Sequence, residues 1–354
     1  MKPIVIVGGG MAALGAASVL QHSRHPFLII ESQEEIGGRA ASRADEDWTI
    51  DVAAPYFRMG DSSLLSLIRE AGLLPDTTVL QDNVMQLTQD GQIVRAPEGH
   101  GGSRVTLRGG IASLFEHFER ELRVVANVAV GALLWDEREQ HFLFRDKESG
   151  RAVRHPDTNR VIEASGTILA VPGTAARKIV AATRFLESIL PSFKEMRYEP
   201  GALAIFQMLT RYDPGWCVLE MPHHDLFEWL TVEDRKCPCH VRTDVSVLAL
   251  RIKEGYSQHL KTLSPEEAVD HVYSELGRVV TSLPEEYSEG FLLHWKAMRP
   301  APGSYRLVAE EGVRTDPPQI PFALAGDYTR GSTLDLTAES GILAARQVLA
   351  RLHR

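Results

Sequence analysis

The sequence predicts an α/β chain of two domains, one built on a parallel sheet and the other on a mixed or antiparallel sheet. Three observations carry this. The chain has 354 residues, more than one hydrophobic core usually organises. Its first thirty-one residues alternate buried-strand and helix patterns around a glycine turn. Beyond residue 179 the texture changes to strand-like runs without that alternation, at Ala202 to Leu209 and Val245 to Ile252.

The elements follow in order. Ile4 to Val7 is a continuous β-branched apolar run, as a strand buried on both faces requires. Gly8-Gly9-Gly10 breaks it, Met11 to Gln21 carries Ala and Leu at helical spacing, and Phe27 to Ile30 is a second buried strand ending in Glu31. Together they make one βαβ unit with a right-handed crossover. Ser62 to Gly72 reads as a helix with Asp61 as its N-cap, and Ile111 to Leu122 as another. Strands follow between Val124 and Arg145 and at Thr167 to Val171, the latter stopped by Pro172-Gly173. Ser264 with Glu267 forms a capping box for a helix to Thr281. Pro321 to Ala325 is a last strand, Gly326-Asp327 follows, and a helix runs from about Leu336 to Leu352.

Composition excludes several function classes. At 44% hydrophobic and 24% charged the chain is too apolar for disorder and too evenly punctuated for a membrane protein. Thirty-eight Lys and Arg against 47 acids give a net charge of −9, with no long basic run, which argues against nucleic acid or an anionic membrane as partner. The odd count of three cysteines (Cys217, Cys237, Cys239) cannot build a disulfide framework and suits a reducing, cytoplasmic location. His223-His224-Asp225 with Cys237-Pro-Cys239-His240 has metal-ligand residue types at poor spacing, so it reads as a polar loop and no metal is expected.

Gly8-x-Gly10-x-x-Ala13, between a strand and a helix, is the phosphate-binding turn of a dinucleotide site. Gly8 permits the tight turn, and Gly10 lets a pyrophosphate approach the helix N-terminus, where free N–H groups favour anions. Glu31, 21 residues after Gly10, can accept hydrogen bonds from ribose hydroxyls. Gly37-Gly38-Arg39 and Arg43 form an extension that a nicotinamide domain has no need of; the glycine pair lets the chain fold over the pyrophosphate, and arginine supplies planar charged donors. That points to FAD.

Here the chain resembles the flavin-containing amine oxidase superfamily. Asp51-x-Ala53-Ala54-Pro55-Tyr56-Phe57, Gly109-Gly110-Ile111, Leu169-Ala-Val-Pro172 and the terminal segment Pro321 to Gly341 are similar to its motifs. His294-Trp295-x-x-x-Arg299-Pro300 resembles the short renalase-like branch, displaced by one at the histidine. The resemblance covers most of the chain and is strongest in residues 1–57 and 321–350.

What the resemblance implies is a Rossmann-like FAD-binding domain of the amine-oxidase type, from residues 1–78, 104–178 and 301–354. A substrate domain from 79–103 and 179–300 would roof it. Gly8, Gly10, Met11 and Ala12 would face the pyrophosphate, Glu31 the adenosine ribose, Arg39 and Arg43 the phosphates and ribityl chain, and the backbone of Val130 the adenine. Gly326-Asp327 would hold a ribityl hydroxyl or pyrophosphate oxygen, while Leu334 and Asp335 would place N–H groups near flavin N1. Asp335 is equally an ordinary N-cap. Ala53, Ala54 and Pro55 would lie under the ring, and Leu336-Thr337 replaces the family's Gly-Ala pair there.

No lysine occurs in Ala202 to Leu209, where several amine oxidases place one beside flavin N5, and no cysteine occurs near 326–341, which implies non-covalent FAD. Lys296 reads as exposed. Tyr56, Phe57 and Trp295 are candidates for pocket walls or for core, and no catalytic acid, base or nucleophile declares itself. The implied function is FAD-dependent oxidation of a small amine or reduced nicotinamide-like compound by hydride transfer to N5, with O₂ as acceptor. The alternatives are a desaturase or isomerase/mutase acting on a larger substrate, or a catalytically silent flavin-binding scaffold.

Overall fold

The computed structural model describes residues 1–353 except 61, 81–82, 99–101, 121, 195, 243, 302–303 and 305–319. A five-stranded parallel sheet forms the first domain, in the order Val124–Val125, Phe27–Ile30, Ile4–Val7, Gly166–Leu169, Phe322–Leu324. Side chains of the first strand alternate between two cores, as strand geometry dictates. Ile4 and Ile6 join the cluster made with the helices Met11–His22, Ser63–Glu70, Ala112–Glu119 and Leu334–Leu352. Val5 and Val7 join the cluster on the other face, under the strands Val130–Asp136 and His141–Asp146 and the helix Gly173–Ala181. The 3-10 segment Arg184–Phe193, expected in the roof domain, also packs there through Leu186, Ile189 and Phe193.

The first and last helices touch backbone to backbone. A Cβ on Gly15 would lie 2.1 Å from the Ala338 carbonyl oxygen, and one on Gly341 would lie 1.8 Å from that of Ala12. The last helix begins at Leu334, two residues before its expected start, because the Thr333 hydroxyl caps it by accepting from the Leu336 N–H at 3.2 Å. The helix Ser63–Glu70 is likewise capped by Ser62, which accepts from Leu65 N–H; Asp61 lies outside the described residues.

The second domain is a seven-stranded mixed sheet in the order Tyr287–Pro300, Tyr198–Met208, Val247–Ile252, Phe227–Val232, Val218–Glu220, Val84–Leu87, Ile93–Arg95. All neighbours pair antiparallel except Val218–Glu220 with Val84–Leu87. One face is covered by the helices Glu254–Leu260 and Pro265–Val279. The latter is capped by the expected box, in which Ser264 and Glu267 satisfy each other's backbone N–H groups. The other face turns Leu203, Ile205, Trp229, Phe291, Leu293 and Trp295 toward Trp48, Ile50 and Val52 of the first domain. Among the described residues no helix is long and apolar enough to cross a membrane.

Gly341→Ala is expected to lower unfolding stability by about 3 kcal/mol, because the clash is with backbone that cannot rotate aside. Gly255→Ala, at a helical position with open space around it, is expected not to lower it. Thermal unfolding followed by circular dichroism distinguishes the two.

Candidate functional site

The site is built at the carboxyl edge of the parallel sheet. Val7 lies level with Ile30 and Leu169, so the chain leaves all three strands at one height, the position at which open α/β sheets bind ligands. Gly8 holds φ +103° there, and a Cβ on it would meet the Ala170 carbonyl oxygen at 2.6 Å. Gly10 differs: a Cβ on it would find its nearest neighbour, the Gly37 carbonyl oxygen, at 3.9 Å, so the space above it is open. Gly10 has no side chain to cap the following helix, which leaves the first-turn N–H groups of Met11 and Ala12 without an intrahelical acceptor.

Glu31 emerges from the next strand, 7% exposed. Its carboxylate accepts from the Gly9 N–H at 2.6 Å, the Gln33 N–H at 2.9 Å and the Ser32 hydroxyl at 2.8 Å. A carboxylate has about four acceptor positions, so capacity remains for one more donor. Backbone bonds from Val128 N–H to Glu31 and from Asn127 N–H to Gln33 place the strand that starts at Val130 beside it.

The second glycine motif closes over the first: Gly37 N–H donates to the Gly9 carbonyl at 2.8 Å, and Gly38 lies against the Gly10 Cα. Arg39, in the 3-10 turn Gly38–Ala40, reaches Asp327 Oδ2 at 2.7 Å and donates to the Met298 carbonyl at 2.8 Å. Tyr198 donates to Asp327 Oδ1 at 2.7 Å and lies under the guanidinium at 5.4 Å. Burial alone would lower the Arg39 pKa, but the adjacent Asp327 reverses the sign, and the cation is secured. Burial and the same carboxylate push the Tyr198 phenol well up, so it stays a donor. Gly326 N–H donates to the Ser340 hydroxyl at 2.9 Å, fixing Asp327 against the last helix.

The structure thus brings together Gly8, Gly10, Met11, Ala12, Glu31, Arg39, Gly326 and Asp327. Arg43 stands apart, exposed on the strand Ser42–Ala44. Asp335 is not the N-cap of its helix: its carboxylate turns outward and accepts from Leu64 N–H at 3.0 Å, and Thr333 caps instead. Leu336, where the family has a small residue, lies over Gly331, whose missing side chain makes room for it. Ala53, Ala54 and Pro55 are half-buried in the segment after Asp51. Asp51 Oδ1 accepts from Ile111 N–H at 2.7 Å and from Ser42 at 2.8 Å, and a Cβ on Gly110 would sit 2.8 Å from it, which explains Gly110; a Cβ on Gly109 would meet the Ser113 Cβ at 2.9 Å.

The aromatic candidates separate. Phe57, half-buried, packs on the helical core of the first domain. Trp295 faces the first domain in the cluster with Trp48 and Ile50, while His294 lies on the opposite face, in a cavity of 540 Å³ beside the roof helices. Tyr56 donates to Glu220 and carries the buried Arg104 over its ring at 5.4 Å. Burial, then the bond to Glu220, raises its pKa.

Two polar groups escaped the sequence reading. Arg251, 5% exposed, shares a strand face with Val247 and Ala249. It sits 3.7 Å from Glu228, which Arg299 bridges to Glu199 at 2.9 and 2.7 Å. Gly201 opposite leaves room for its guanidinium, and burial pulls its pKa down to about 10. The other is Lys236, fully buried on the short helix Glu233–Lys236 and 2.8 Å from Glu233. His240 joins Glu233 at 3.1 Å and the Leu107 carbonyl oxygen at 2.9 Å, and Asp51 lies 3.7 Å from Lys236. The spacing of Glu233, Lys236 and His240 after an apolar strand was the signal for it.

Cys237 and Cys239 are joined as a disulfide, a single bridge rather than a framework, and buried Cys217 is the free thiol. Among the described residues the metal-ligand types that converge are Cys237, Cys239 and His240. The two halves of the polar loop have separate uses: His224 stacks on Phe227 at 5.1 Å and accepts backbone N–H bonds.

Lys236→Met is expected to cost about 3–5 kcal/mol, because it strands the Glu233 charge in the interior, and Lys236→Met with Glu233→Leu is expected to recover most of it. Burial would raise the Glu233 pKa, but Lys236 and His240 hold it well below the carboxylate range. Its contribution is therefore complete above about pH 4.3 and lost as pH falls through the folded value. For Lys236, burial would lower the pKa but Glu233 and Asp51 together reverse the sign, so the contribution is complete below about pH 10.4 and lost as pH rises through the folded value. Denaturant titrations across pH check both signs.

Against known proteins, a family model for an NAD(P)-binding Rossmann-like domain matches residues 6–71, and one for flavin containing amine oxidoreductase matches residues 92–349. L-amino acid oxidase Cdc18 of Crotalus durissus cumanensis is 35% identical over 72 residues, 20% of this chain and 14% of that protein. Amine oxidase [flavin-containing] A of Canis lupus familiaris is 32% identical over 75 residues, 21% of this chain and 14% of that protein. The matched stretches thus span only 14% of these relatives' length. A putative protoporphyrinogen oxidase from Exiguobacterium sp. 255-15 superposes with a TM-score of 0.75 at 15% identity, covering 100% of this chain and 99% of that one. Cyclohexylamine oxidase from Brevibacterium oxydans IH-35A gives 0.75 at 13% identity, covering 100% of both. At such identities the likeness is one of fold.

Proposed function

This chain belongs to the flavin containing amine oxidoreductase family and is an FAD-dependent oxidoreductase; from that premise we propose that it oxidises a small amine or a reduced nicotinamide-like compound, with FAD held non-covalently and O₂ as acceptor. The observation that carries the proposal is the meeting of the open cradle at Gly10, the Gly37-Gly38-Arg39 turn and Asp327 at one sheet edge. The residue pattern Trp295-x-x-x-Arg299-Pro300 supports placing the chain in the renalase-like branch.

The residues present fit FAD. The N–H groups of Met11 and Ala12 suit the pyrophosphate, since they lie at a helix N-terminus with open space above. Glu31, held from behind by Gly9 and Gln33, suits the adenosine ribose. Val130 would offer its backbone to the adenine. Arg39, kept charged by Asp327, supplies the cation for the phosphate and ribityl side, and Asp327 retains lone pairs beyond its two bonds. We assign Arg43 to the same side, where it would have to swing in from the surface. Bound FAD would supply a hydride acceptor at N5 and pass the electron pair to O₂.

The protein's own part is positioning. The N–H groups of Leu334 and Asp335 begin a 19-residue helix, and partial positive charge there favours negative charge that develops nearby. Ala53, Ala54 and Pro55 would offer small surfaces to the flavin ring, and Trp295 and its neighbours on the roof would keep water out. Tyr56, bound to Glu220, would orient the substrate from the side. Substrate binds between roof and floor and is held for transfer without a covalent intermediate with the protein.

Purified protein is expected to show a flavin band near ~450 nm, a property of the cofactor. Added anaerobically, a dihydronicotinamide isomer or an amine should bleach it, and air should restore it. A flavin that no member of that panel reduces would overturn the substrate proposal. Flavin released into solution by acid precipitation would agree with a non-covalent link. Arg39→Met is expected to weaken FAD binding about 10- to 100-fold, the loss of a charge-assisted contact, measured by flavin fluorescence on dilution.

A further inference from the structure

We propose that Cys237 and Cys239 form a thiol–disulfide exchange site, open at the surface to a dithiol of low molecular weight or on a partner protein. The pair stands in the sequence Cys237-Pro238-Cys239, with Cα atoms 5.3 Å apart. Its two sulfurs have unequal access. Cys239 is exposed and Cys237 is 2% exposed, so an incoming thiolate meets one sulfur and expels the other. A bond across two residues closes the shortest of loops, and the entropy it removes from the unfolded chain is correspondingly small. It is thus a poor staple, and the surrounding backbone already fixes the segment.

That backbone is what gives the site its setting. Cys237 N–H donates to the Glu233 carbonyl at 2.9 Å, and His240 N–H donates to the Cys237 carbonyl at 2.8 Å. The His240 carbonyl accepts from Thr49 N–H at 2.7 Å, Arg242 N–H donates to Asp47 at 2.8 Å, and Val241 bridges Trp48. The pair therefore lies on the strip of roof domain that is fastened to the segment leading into Asp51 and Ala53. Cys217, the third cysteine, has 0% exposure, and burial pushes its thiol up to about 12, which removes it from exchange.

The reaction balances with a dithiol as the only co-reactant. Its first thiolate attacks Cys239 Sγ, a mixed disulfide forms, and the Cys237–Cys239 bond breaks with Cys237 leaving as thiolate, to be protonated. The second thiol of the reagent loses its proton and attacks its own sulfur in the mixed disulfide, releasing Cys239. The protein gains two electrons and two protons, and the reagent becomes a cyclic disulfide.

The full chain, purified in air, is treated with iodoacetamide before and after brief exposure to dithiothreitol without denaturant, and each cysteine is scored by peptide mass. Expected is no label on Cys237 or Cys239 beforehand, label on the exposed Cys239 afterwards, and none on Cys217 until the protein is unfolded. Cys237→Ser is expected to leave Cys239 labelled without reductant, with Cys239→Ser as the second variant if the first does not fold. Cys239 labelled at the outset, reduction that requires denaturant, or a stoichiometric zinc ion held by the two thiols would each overturn the proposal.

Discussion

The first and last helices cross at a distance that two missing side chains permit, and the rest of the site hangs on that crossing. With Gly15 against Ala338 and Gly341 against Ala12, the helices meet with main chain on main chain. That contact brings Ser340 under the Gly326 N–H and so fixes where Asp327 stands relative to the glycine turn. Asp327 then orders Arg39 and Tyr198, one from each domain. A helix pair one methyl group farther apart would shift every member of that chain of contacts, because packed interiors relax only in part.

The seam between the domains is held by two kinds of contact with different roles. Apolar contacts such as Trp48 stacked on Phe291 at 5.9 Å supply area, and a fully buried large side chain contributes about 1.5–3 kcal/mol. The buried group of Asp51, Glu233, Lys236 and His240 adds little net stability, since taking charges from water offsets most of their attraction. Its effect is on register. A roof shifted by one residue would leave a carboxylate or an ammonium group unpaired in the interior, so the alternatives are disfavoured more than the native docking is favoured.

What the sequence reveals and conceals follows from the range of the forces involved. The βαβ unit, the capping box at Ser264 and the strand at Phe322–Leu324 are local patterns, and each lies where the periodicity places it. The family motifs mark residues whose neighbours are also motif residues, such as Asp51 with Gly110. Charge partners across the domains carry no local signal. Arg251 and Glu228, or Lys236 and Asp51, are ordinary charged residues until the sheet order brings them together. Asp335 misleads for the reverse reason: its residue type suits an N-cap, but Thr333 reaches the orphan N–H first and a neighbouring helix claims the carboxylate.

The strands of the parallel sheet are not contiguous in the chain, and that has a consequence for synthesis. The sheet receives its edge strand, Phe322–Leu324, only after the whole roof has been made, and Asp327 follows that strand. Until then Arg39 has no counter-charge from Asp327, and the Gly15 face of the first helix has nothing to pack on. A nascent chain emerging from the ribosome therefore carries a glycine turn and a sheet that still lacks its edge, with apolar surface open to chaperones or to aggregation. Completion of the cofactor cradle is in effect the signal that translation has passed residue 327.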